Sequence, residues 1–208
     1  MSAELGRLGT ATVYEAAGRE GLVDADLIQV LPGTSVAGPA RTVRCGQGDN
    51  LMVHAAIAVV QPGEVLVLVM PREEPVALVG DLLATQARVH GAAGLLVGAA
   101  VRDVEVLREV GLPIWARFVR ARGPTRTTAG ALDTPVQLGG ATIRTGDFVL
   151  LDADGAVVIA RDRTDEVLRA SVERERREAA NRETFASGVL SVDLYGLREG
   201  LAPYLGQT

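Results

Sequence analysis

The chain has 208 residues and a mass of 21.8 kDa, with 21 basic residues, 26 acidic residues and a formal net charge of −5. This length predicts a single domain that buries enough apolar surface to fold without disulfides or a structural metal. The acidic balance and an aromatic content of only 3% argue against a nucleic-acid partner, which needs basic surface or stacking side chains.

Several residue types that active sites often use are absent or scarce. All 21 basic residues are arginine, which excludes Schiff-base chemistry on lysine, including that of pyridoxal-phosphate enzymes. Cys45 is the only cysteine, and the two histidines, His54 and His90, are too few for a histidine-rich zinc or iron centre. A metal would therefore be held by carboxylates and water, which points to Mg²⁺ or Mn²⁺.

The sequence carries no membrane or secretion signal. No apolar run reaches 18 residues without a charge or a turn signal, and Met1–Leu8 does not resemble a signal peptide. We therefore expect a cytoplasmic protein without a membrane partner.

The first half of the chain predicts alternating helices and strands. It opens with a short helix over Thr10–Glu20, which the Thr10 side chain could cap. The elements predicted next are a strand at Val36–Arg44, a helix at Asp49–Val60, a strand at Glu64–Met70, a helix at Asp81–His90, a strand at Gly94–Gly98 and a helix at Asp103–Val110. The strands at 64–70 and 94–98 are apolar throughout, as is typical of strands buried on both faces. This alternation predicts an α/β core.

The second half changes to short strands separated by glycine turns. The predicted strands are Pro135–Leu138, Ala141–Arg144, Phe148–Asp152 and Ala156–Ala160. The turn pairs Gly146-Asp147 and Asp154-Gly155 favour a β meander. Residues 1–163 are thus predicted as the α/β domain and residues 164–208 as a helical extension of it. The extension begins with a charged helix over Thr164–Phe185, which is expected to be solvated or to lie between subunits.

Two short segments place charged residues at the start of a helix. Gly80 and Asp81 open the predicted helix at 81–90, whose first amides suit a carboxylate or phosphate. Arg102 and Asp103 follow the strand at 94–98, where ligands bind in open α/β sheets. Each aspartate alone could simply cap its helix. Because the twenty residues between Asp81 and Arg102 suffice for one helix and one strand, the two segments are expected to meet at one sheet edge, around a hard cation and an anionic substrate.

The sequences GDLLA at 80–84 and RDV at 102–104 resemble the metal-site pattern of one family. It comprises class II 4-hydroxy-4-methyl-2-oxoglutarate/4-carboxy-4-hydroxy-2-oxoadipate aldolases and RraA regulators of RNase E. Further matching stretches are DNLMVH at 49–54, PGEVLV at 62–67, REVGLPIW at 108–115 and GD at 146–147. The tail SVDLY at 191–195 is more similar to the aldolase branch. The resemblance implies a swivelling β/α/β domain with a C-terminal helical extension, assembled as a homotrimer or homohexamer with sites between subunits.

The resemblance also implies a role for individual residues. Asp103 would bind the metal directly, and Asp81 would act mainly through water on the metal. Arg102 would hold the keto or enolate oxygen of pyruvate, and the first amides of the helix would hold its carboxylate. The implied substrate-binding residues are Gly80, Asp81, Leu82, Leu83 and Arg102.

A glutamate from the neighbouring subunit completes the site in the family. The resemblance makes Glu178 the best candidate for this third catalytic residue beside Arg102 and Asp81, and periodicity does not separate it from Glu175 or Glu183.

One position departs from the aldolase pattern. The family has an acidic residue where this chain has Val106, and the acid Glu105 comes one residue earlier. One residue on a helix turns a side chain by about 100°, so we expect that Glu105 does not replace the missing acid.

Two functions follow from the resemblance. The first is a divalent-metal class II aldolase that cleaves a 4-hydroxy-2-oxo diacid to pyruvate and a 2-oxo acid and, through the same enolate, decarboxylates oxaloacetate. The alternative is a non-catalytic regulator that binds RNase E or a similar protein. The acidic surface and Val106 favour the regulator, whereas the SVDLY tail and the retained Asp81, Arg102 and Asp103 favour the aldolase. The sequence leaves the metal, the proton-transfer base and the distal group of the substrate open.

Overall fold

The structure, a computed structural model that describes residues 1–205, has the mixed α/β architecture that the sequence predicts. Its helices are α1 (Ser2–Leu8), α2 (Thr10–Ala16), α3 (Leu51–Val59), α4 (Asp81–Val89), α5 (Val104–Val110), α6 (Thr164–Ala186), α7 (Ser191–Leu194) and α8 (Arg198–Leu205). Its strands are β1 (Ile28–Gln29), β2 (Val36–Arg44), β3 (Val65–Val69), β4 (Ala77–Val79), β5 (Gly94–Val101), β6 (Ile114–Val119), β7 (Ala131–Leu132), β8 (Val136–Leu138), β9 (Ala141–Ile143), β10 (Phe148–Asp152) and β11 (Gly155–Ile159).

The chain divides into two compact units, Met1–Ser171 and the remainder from Val172 onward, with the boundary inside α6. In the second unit, Phe185 and Tyr195 make an edge-to-face contact with ring centres 6.1 Å apart. None of the described residues from Val172 to Leu205 is buried. Over residues 1–205, no helix is both long enough and apolar enough to cross a membrane.

One large sheet forms the centre of the first unit, in the order β1-β6-β5-β3-β2-β10-β11, with β4 beside β5 and β7 beside β2. Strands β2, β3, β5 and β6 run parallel to one another, and β4 is parallel to β5, whereas β1 and β10 pair antiparallel with β6 and β2. Every residue of β3 and β5 is buried, which confirms the prediction from their apolar sequences. Because β4 and β5 are parallel neighbours, the segments that follow them leave from the same edge of the sheet.

The core lies on both faces of this sheet. On β3, Leu66 and Leu68 pack into one cluster with residues of α3 and α4. The alternate residues Val65, Val67 and Val69 pack into a second cluster with residues of β8 to β11. This alternation follows from the two-residue period of a strand, and each such buried side chain contributes about 1.5–3 kcal/mol to folding.

The second half of the chain forms two separate hairpins, so the predicted β meander is wrong. Strands β8 and β9 form their own two-stranded sheet, whereas β10 pairs antiparallel with β11 and, on its other side, with β2. The Gly146-Asp147 turn therefore connects two sheets, because β2 occupies the edge of β10 that β9 would need. The Asp154-Gly155 turn does join paired strands, as predicted.

Helix α2 ends at Ala16, short of the predicted end, and the predicted cap on Thr10 is wrong. The backbone N–H and the hydroxyl of Thr10 instead donate to the carboxylate of Asp152, over 2.7 and 2.6 Å. Gly18 and Arg19 have positive φ angles of 79° and 64°, so the chain leaves the helical conformation there.

Several elements lack a sequence signal that would predict them. Strands β1, β4 and β7 have only two or three residues each, too few to show a period. Strand β6 carries Arg117 in the middle of its apolar run. Strand β5 continues to Val101, beyond the predicted end at Gly98, because its last residues pair with β4 and, after a register shift, with β6.

Candidate functional site

The two charged segments meet at one edge of the large sheet. Gly80 and Asp81 follow β4, and Arg102 and Asp103 follow the neighbouring parallel strand β5. The N–H of Arg102 donates to the carbonyl of Val79 over 3.1 Å, which joins the two strand ends. The structure therefore brings together the residues that the spacing places at a common edge.

Gly80 is needed at this edge for space rather than for its backbone angles. Its φ of −127° and ψ of −169° are open to any residue. A Cβ at this position, however, would lie 2.5 Å from Oδ2 of Asp103 and 3.1 Å from Nε of Arg102. The missing side chain is what allows the carboxylate and the guanidinium to pack against the start of α4.

Neither aspartate makes the side-chain cap bond that would explain it structurally. Asp81 is the first residue of α4, after Gly80 as N-cap, and makes no side-chain hydrogen bond within the described chain. Asp103 is the N-cap of α5 without a side-chain cap bond, and it has a left-handed backbone with φ 60° and ψ 39°. Its Oδ2 lies 3.3 Å from Nε of Arg102, with both side chains partly exposed. Both carboxylates thus face the open edge.

The first turn of α4 offers backbone donors beside these charges. Its first bond runs from the N–H of Ala84 to the carbonyl of Gly80, over 3.1 Å. The N–H groups of Asp81, Leu82 and Leu83 precede this bond and point out of the helix start. Such amides, at the positive end of the helix dipole, suit the carboxylate of a ligand.

Asp81 and Arg102 lie between two cavities. The inner cavity, about 250 Å³, is lined by Asn50, His54, Ala77, Leu78, Gly80–Leu83, Gln86, Arg102, Gly123, Pro124 and Arg126. The outer cavity, about 660 Å³ and more open, is lined by Asp81, Arg102–Val106 and Val119–Ala121. Both Glu105 and Val106 line the outer cavity, together with Asp103. The turn of about 100° between positions 105 and 106 therefore does not take Glu105 out of the cavity that Asp103 lines.

The loop at 121–130 closes one side of the inner cavity, and Asp49 holds this loop. The Asp49 carboxylate is fully buried and accepts hydrogen bonds from the hydroxyl of Thr125 and the N–H groups of Leu51, Thr127 and Thr128, over 2.6–3.0 Å. Burial raises the pKa of Asp49, but these four donors outweigh it and hold the pKa well below its ordinary value of 3.8. Asp49 is therefore a charged anchor beneath the cavity wall.

Asn50 lines the inner cavity and carries a buried acceptor. Its side chain is 6% exposed, and its Nδ2 donates to the carbonyl of Leu78 over 3.1 Å. Its Oδ1 has no hydrogen-bond partner among the described residues. The opposite amide orientation would place Oδ1 against that carbonyl, so the donor to Leu78 fixes which atom is unpartnered. Sequence reasoning did not identify Asn50 as a site residue, because one asparagine at a helix start carries no distinct signal.

Glu178 belongs to the second unit, on α6. There Nε of Arg174 lies 2.9 Å from Oε1 of Glu178, one helical turn away. The role implied for Glu178 in a neighbouring subunit stays a prediction.

The carboxylates at the edge have the donor chemistry of a hard-cation site. Mg²⁺ and Mn²⁺ bind oxygen ligands, and Mg²⁺ in particular is held by one or two carboxylates together with water and substrate oxygens. Asp103, with Oδ2 in the space that a side chain on Gly80 would fill, and Asp81 provide such a pair. In the part of the chain that the structure describes, no group of three His, Cys, Asp or Glu side chains could hold a metal ion. Asp81 and Asp103 fit a Mg²⁺ or Mn²⁺ ion whose remaining ligands are water and substrate oxygens.

Comparison with known proteins finds the same family across sequence and structure. The family model described as RraA-like, Aldolase/RraA, matches residues 10–158. The chain is 32% identical over 160 residues to a protein of Halalkalibacterium halodurans named as a provisional 4-hydroxy-4-methyl-2-oxoglutarate aldolase, covering 77% of this chain and 76% of that protein.

Solved structures with this fold include proteins described as inhibitors. One is the RNA-processing inhibitor RraA of Thermus thermophilus, with a TM-score of 0.67 and 29% identity over 73% of this chain and 92% of that chain. Another is RraAS2 of Streptomyces coelicolor, described as an unusual member of the RNase ES inhibitor RraA family, with a TM-score of 0.78 and 28% identity over 88% and 96% of the two chains. An uncharacterised protein of Pseudomonas syringae pv. tomato reaches a TM-score of 0.80 at 25% identity, over 90% and 92%.

Proposed function

Because the chain belongs to the Aldolase/RraA family, we propose that it is a divalent-metal class II aldolase acting on a 4-hydroxy-2-oxo diacid. The observation that carries this proposal is the convergence of Asp81, Arg102 and Asp103 at the open start of α4. Two carboxylates that make no side-chain cap bond, an arginine and a row of helix amides are what a cation and a 2-oxo acid need. A surface that only binds another protein has no need of this arrangement.

In the proposed reaction, the residues of this chain bind and orient the half of the substrate that becomes pyruvate. The amides of Leu82 and Leu83 hold its carboxylate, and the planar guanidinium of Arg102 holds its 2-oxo oxygen. Asp103 would hold Mg²⁺ or Mn²⁺ directly, with Asp81 as an outer partner. When bound, the cation supplies Lewis-acid polarisation of the 2-oxo group.

The bond changes balance without a further reactant. The 4-hydroxyl group loses its proton, the C3–C4 bond breaks, and C4 becomes the carbonyl carbon of the second 2-oxo acid. The electron pair stays on C3 as the enolate of pyruvate, where Arg102 stabilises the negative oxygen, and a proton then returns to C3. Oxaloacetate gives the same enolate when it loses CO₂, so decarboxylation of oxaloacetate is part of the proposal.

Pyruvate release tests the proposal directly. The purified protein is incubated with 4-hydroxy-4-methyl-2-oxoglutarate or oxaloacetate, with Mg²⁺ or Mn²⁺, and with or without EDTA. We expect pyruvate from both substrates and its loss with EDTA. No release above the rate without protein, or release unaffected by the chelator, would contradict the proposal.

A second candidate function is regulation of RNase E or a similar ribonuclease. It is supported by the two solved relatives that are described as inhibitors, and by Val106 at the position of the acid of the aldolase branch. Purified RNase E is assayed with and without a molar excess of the protein. Inhibition by wild-type protein and equally by an Asp103→Asn variant would favour this function, because protein binding does not need the carboxylate pair.

A further inference from the structure

The inner cavity has room for more than the pyruvate half of a substrate. At about 250 Å³ it lies just below the roughly 300–1,000 Å³ of sites for drug-sized ligands. Pyruvate alone is small beside this volume. The amides of Leu82 and Leu83 occupy only one part of the wall, and the rest includes the polar side chains of Asn50, His54, Gln86, Arg102 and Arg126.

The charges of this cavity favour an anion. Arg102 and Arg126 line it together with a single carboxylate, that of Asp81. Arg102 also lines the outer cavity and is engaged with Asp103, whereas Arg126 makes no ion pair or side-chain hydrogen bond within residues 1–205. The guanidinium of Arg126 is thus a cation available to a ligand.

Asn50 adds a second requirement for the ligand, beyond negative charge. Its Oδ1 is a buried acceptor, so the group that satisfies it must carry a hydrogen-bond donor. A carboxylate carries none, but a hydroxyl does. The cavity is therefore complementary to an anionic ligand that carries a hydroxyl group.

We propose that the inner cavity recognises the distal half of the substrate, with Oδ1 of Asn50 accepting a hydrogen bond from the 4-hydroxyl and Arg126 binding the distal carboxylate. This inference rests on the proposed function, since Arg102 and the α4 amides must hold the pyruvate half. It makes Asn50 and Arg126 the residues that select a 4-hydroxy-2-oxo diacid over oxaloacetate, which has no hydroxyl and whose second carboxylate lies one carbon closer to the 2-oxo group and leaves as CO₂.

The first test measures binding with inert probes. Citramalate carries a hydroxyl and a carboxylate on one carbon and has no 2-oxo group, and methylsuccinate lacks only that hydroxyl. NMR titrations in EDTA compare both acids on wild type, Asn50→Ala, Arg126→Gln and the control Arg122→Gln. Arg122 lies on the same loop, outside the lining of the cavity, and its exposed pair with Glu74 should matter little.

We expect wild type to bind citramalate roughly 3- to 10-fold more tightly than methylsuccinate. Asn50→Ala should reduce this ratio to about one, because the hydroxyl loses its acceptor. Arg126→Gln should weaken both acids roughly 10-fold and keep the ratio, since it removes a charged contact. Arg122→Gln should behave as wild type. An unchanged ratio in Asn50→Ala would overturn the assignment of Asn50, and unchanged affinities in Arg126→Gln would overturn that of Arg126.

The second test separates this inference from the proposed function. We expect both variants to lower kcat/KM for 4-hydroxy-4-methyl-2-oxoglutarate at least roughly 5-fold and to leave oxaloacetate decarboxylation within about 2-fold of wild type. Equal losses on both substrates would mean that the residues only support the fold, and this result would contradict the inference. If wild type releases no pyruvate from either substrate, the proposed function fails. The titrations still decide whether the cavity binds the hydroxyl and the carboxylate of a ligand. Arg126 is exposed on a loop, so Arg126→Gln is expected to fold. This variant therefore tests the inference even if Asn50→Ala does not fold.

Discussion

Gly123 packs directly against the guanidinium of Arg102, and a Cβ on Gly123 would lie 2.8 Å from Nη1. Gly80 approaches the same side chain at Nε, where a Cβ would lie 3.1 Å away. The position of Arg102 therefore depends on two glycines that are 43 residues apart in the sequence. Neither has a positive φ, so both are required for the space that they leave.

This contact predicts that Gly123→Ala displaces Arg102 and leaves the fold intact. The atom in the way is the end of a flexible side chain, so the guanidinium can move without backbone strain. Since misplacement of a catalytic group by about 1 Å can cost roughly 100-fold in rate, we expect kcat/KM for pyruvate release to fall at least 10-fold. The melting temperature should stay within a few degrees.

Gly6→Ala is the matched control for this variant. A Cβ on Gly6 makes only ordinary contacts, at 3.8 Å from Ala37, and Gly6 lies on α1. Its activity should equal that of wild type. Wild-type kinetics for Gly123→Ala would show that Arg102 keeps its position or has no part in the reaction.

Asp103→Asn should abolish metal-dependent turnover while preserving the backbone. Asparagine tolerates the left-handed conformation of Asp103, whereas alanine would be strained there. We expect kcat/KM to fall roughly 10²–10³-fold, together with weaker binding of Mn²⁺ by electron paramagnetic resonance. Glu109→Gln removes an exposed acid on the same helix outside both cavities and should change neither quantity. Full activity of Asp103→Asn at saturating Mg²⁺ would contradict the assignment of the metal ligand.

The sequence predicted the part of this site that follows from the strands. The apolar runs of β3 and β5 mark buried strands, and the distance from Asp81 to Arg102 matches a helix and a strand, so their common edge could be inferred. Gly123 and Asn50 could not be found in this way. Their place depends on the loop at 121–130 crossing that edge, and this loop has no period that would show where it folds.

The hydrogen bonds of Asp49 illustrate why the loop escaped prediction. A buried aspartate that holds Thr125, Thr127 and Thr128 looks in the sequence like any residue before a helix, because its donors lie more than seventy residues away. The Gly146-Asp147 turn led to the wrong prediction of a β meander for a related reason. Its residues are the same whether the strands that it joins pair with each other or, as here, belong to different sheets.

Asp49→Asn should destabilise the protein and loosen the loop over the inner cavity. The amide keeps one acceptor oxygen but replaces the charge that four donors stabilise. We expect the free energy of unfolding in urea to fall by about 2–4 kcal/mol at pH 7. Asp24→Asn replaces an exposed aspartate and should lower the free energy of unfolding by less than about 0.5 kcal/mol. Equal stability of the two variants would contradict the role of Asp49 as an anchor.

The same carboxylate predicts how stability depends on pH. Because the pKa of Asp49 is lowered in the folded protein, its contribution is fully present above the pKa of the unfolded chain, near 3.8. The contribution is lost as the pH falls through the folded pKa. The stability difference between wild type and Asp49→Asn should therefore be constant from pH 7 to pH 5 and shrink as the pH falls below about 4. Urea titrations at pH 7, 5 and 3 measure this difference, and a difference that grows towards pH 3 would contradict the sign.

The exposed surface of the C-terminal unit indicates that the protein forms a homo-oligomer. None of its described residues is buried, and its exposed apolar side chains include Leu190, Tyr195 and Leu197. A helical segment with so little burial gains stability when it packs against another chain. We expect a homotrimer or homohexamer, so light scattering should give three or six times 21.8 kDa. A monomer or a dimer would contradict this prediction.

Mixed oligomers test whether Glu178 acts in the site of a neighbouring subunit. Asp103→Asn and Glu178→Gln should each be inactive alone, because one lacks the metal ligand and the other the carboxylate implied by the family. If the site is shared, a mixed ring contains junctions with both wild-type groups, so mixing the two variants should restore part of the pyruvate release. The same experiment with Glu175→Gln and Glu183→Gln shows which glutamate of α6 complements Asp103→Asn. Subunit exchange is confirmed by mass spectrometry of differently tagged chains, and exchange without any recovery of activity would place Glu178 in its own subunit's site or outside the reaction.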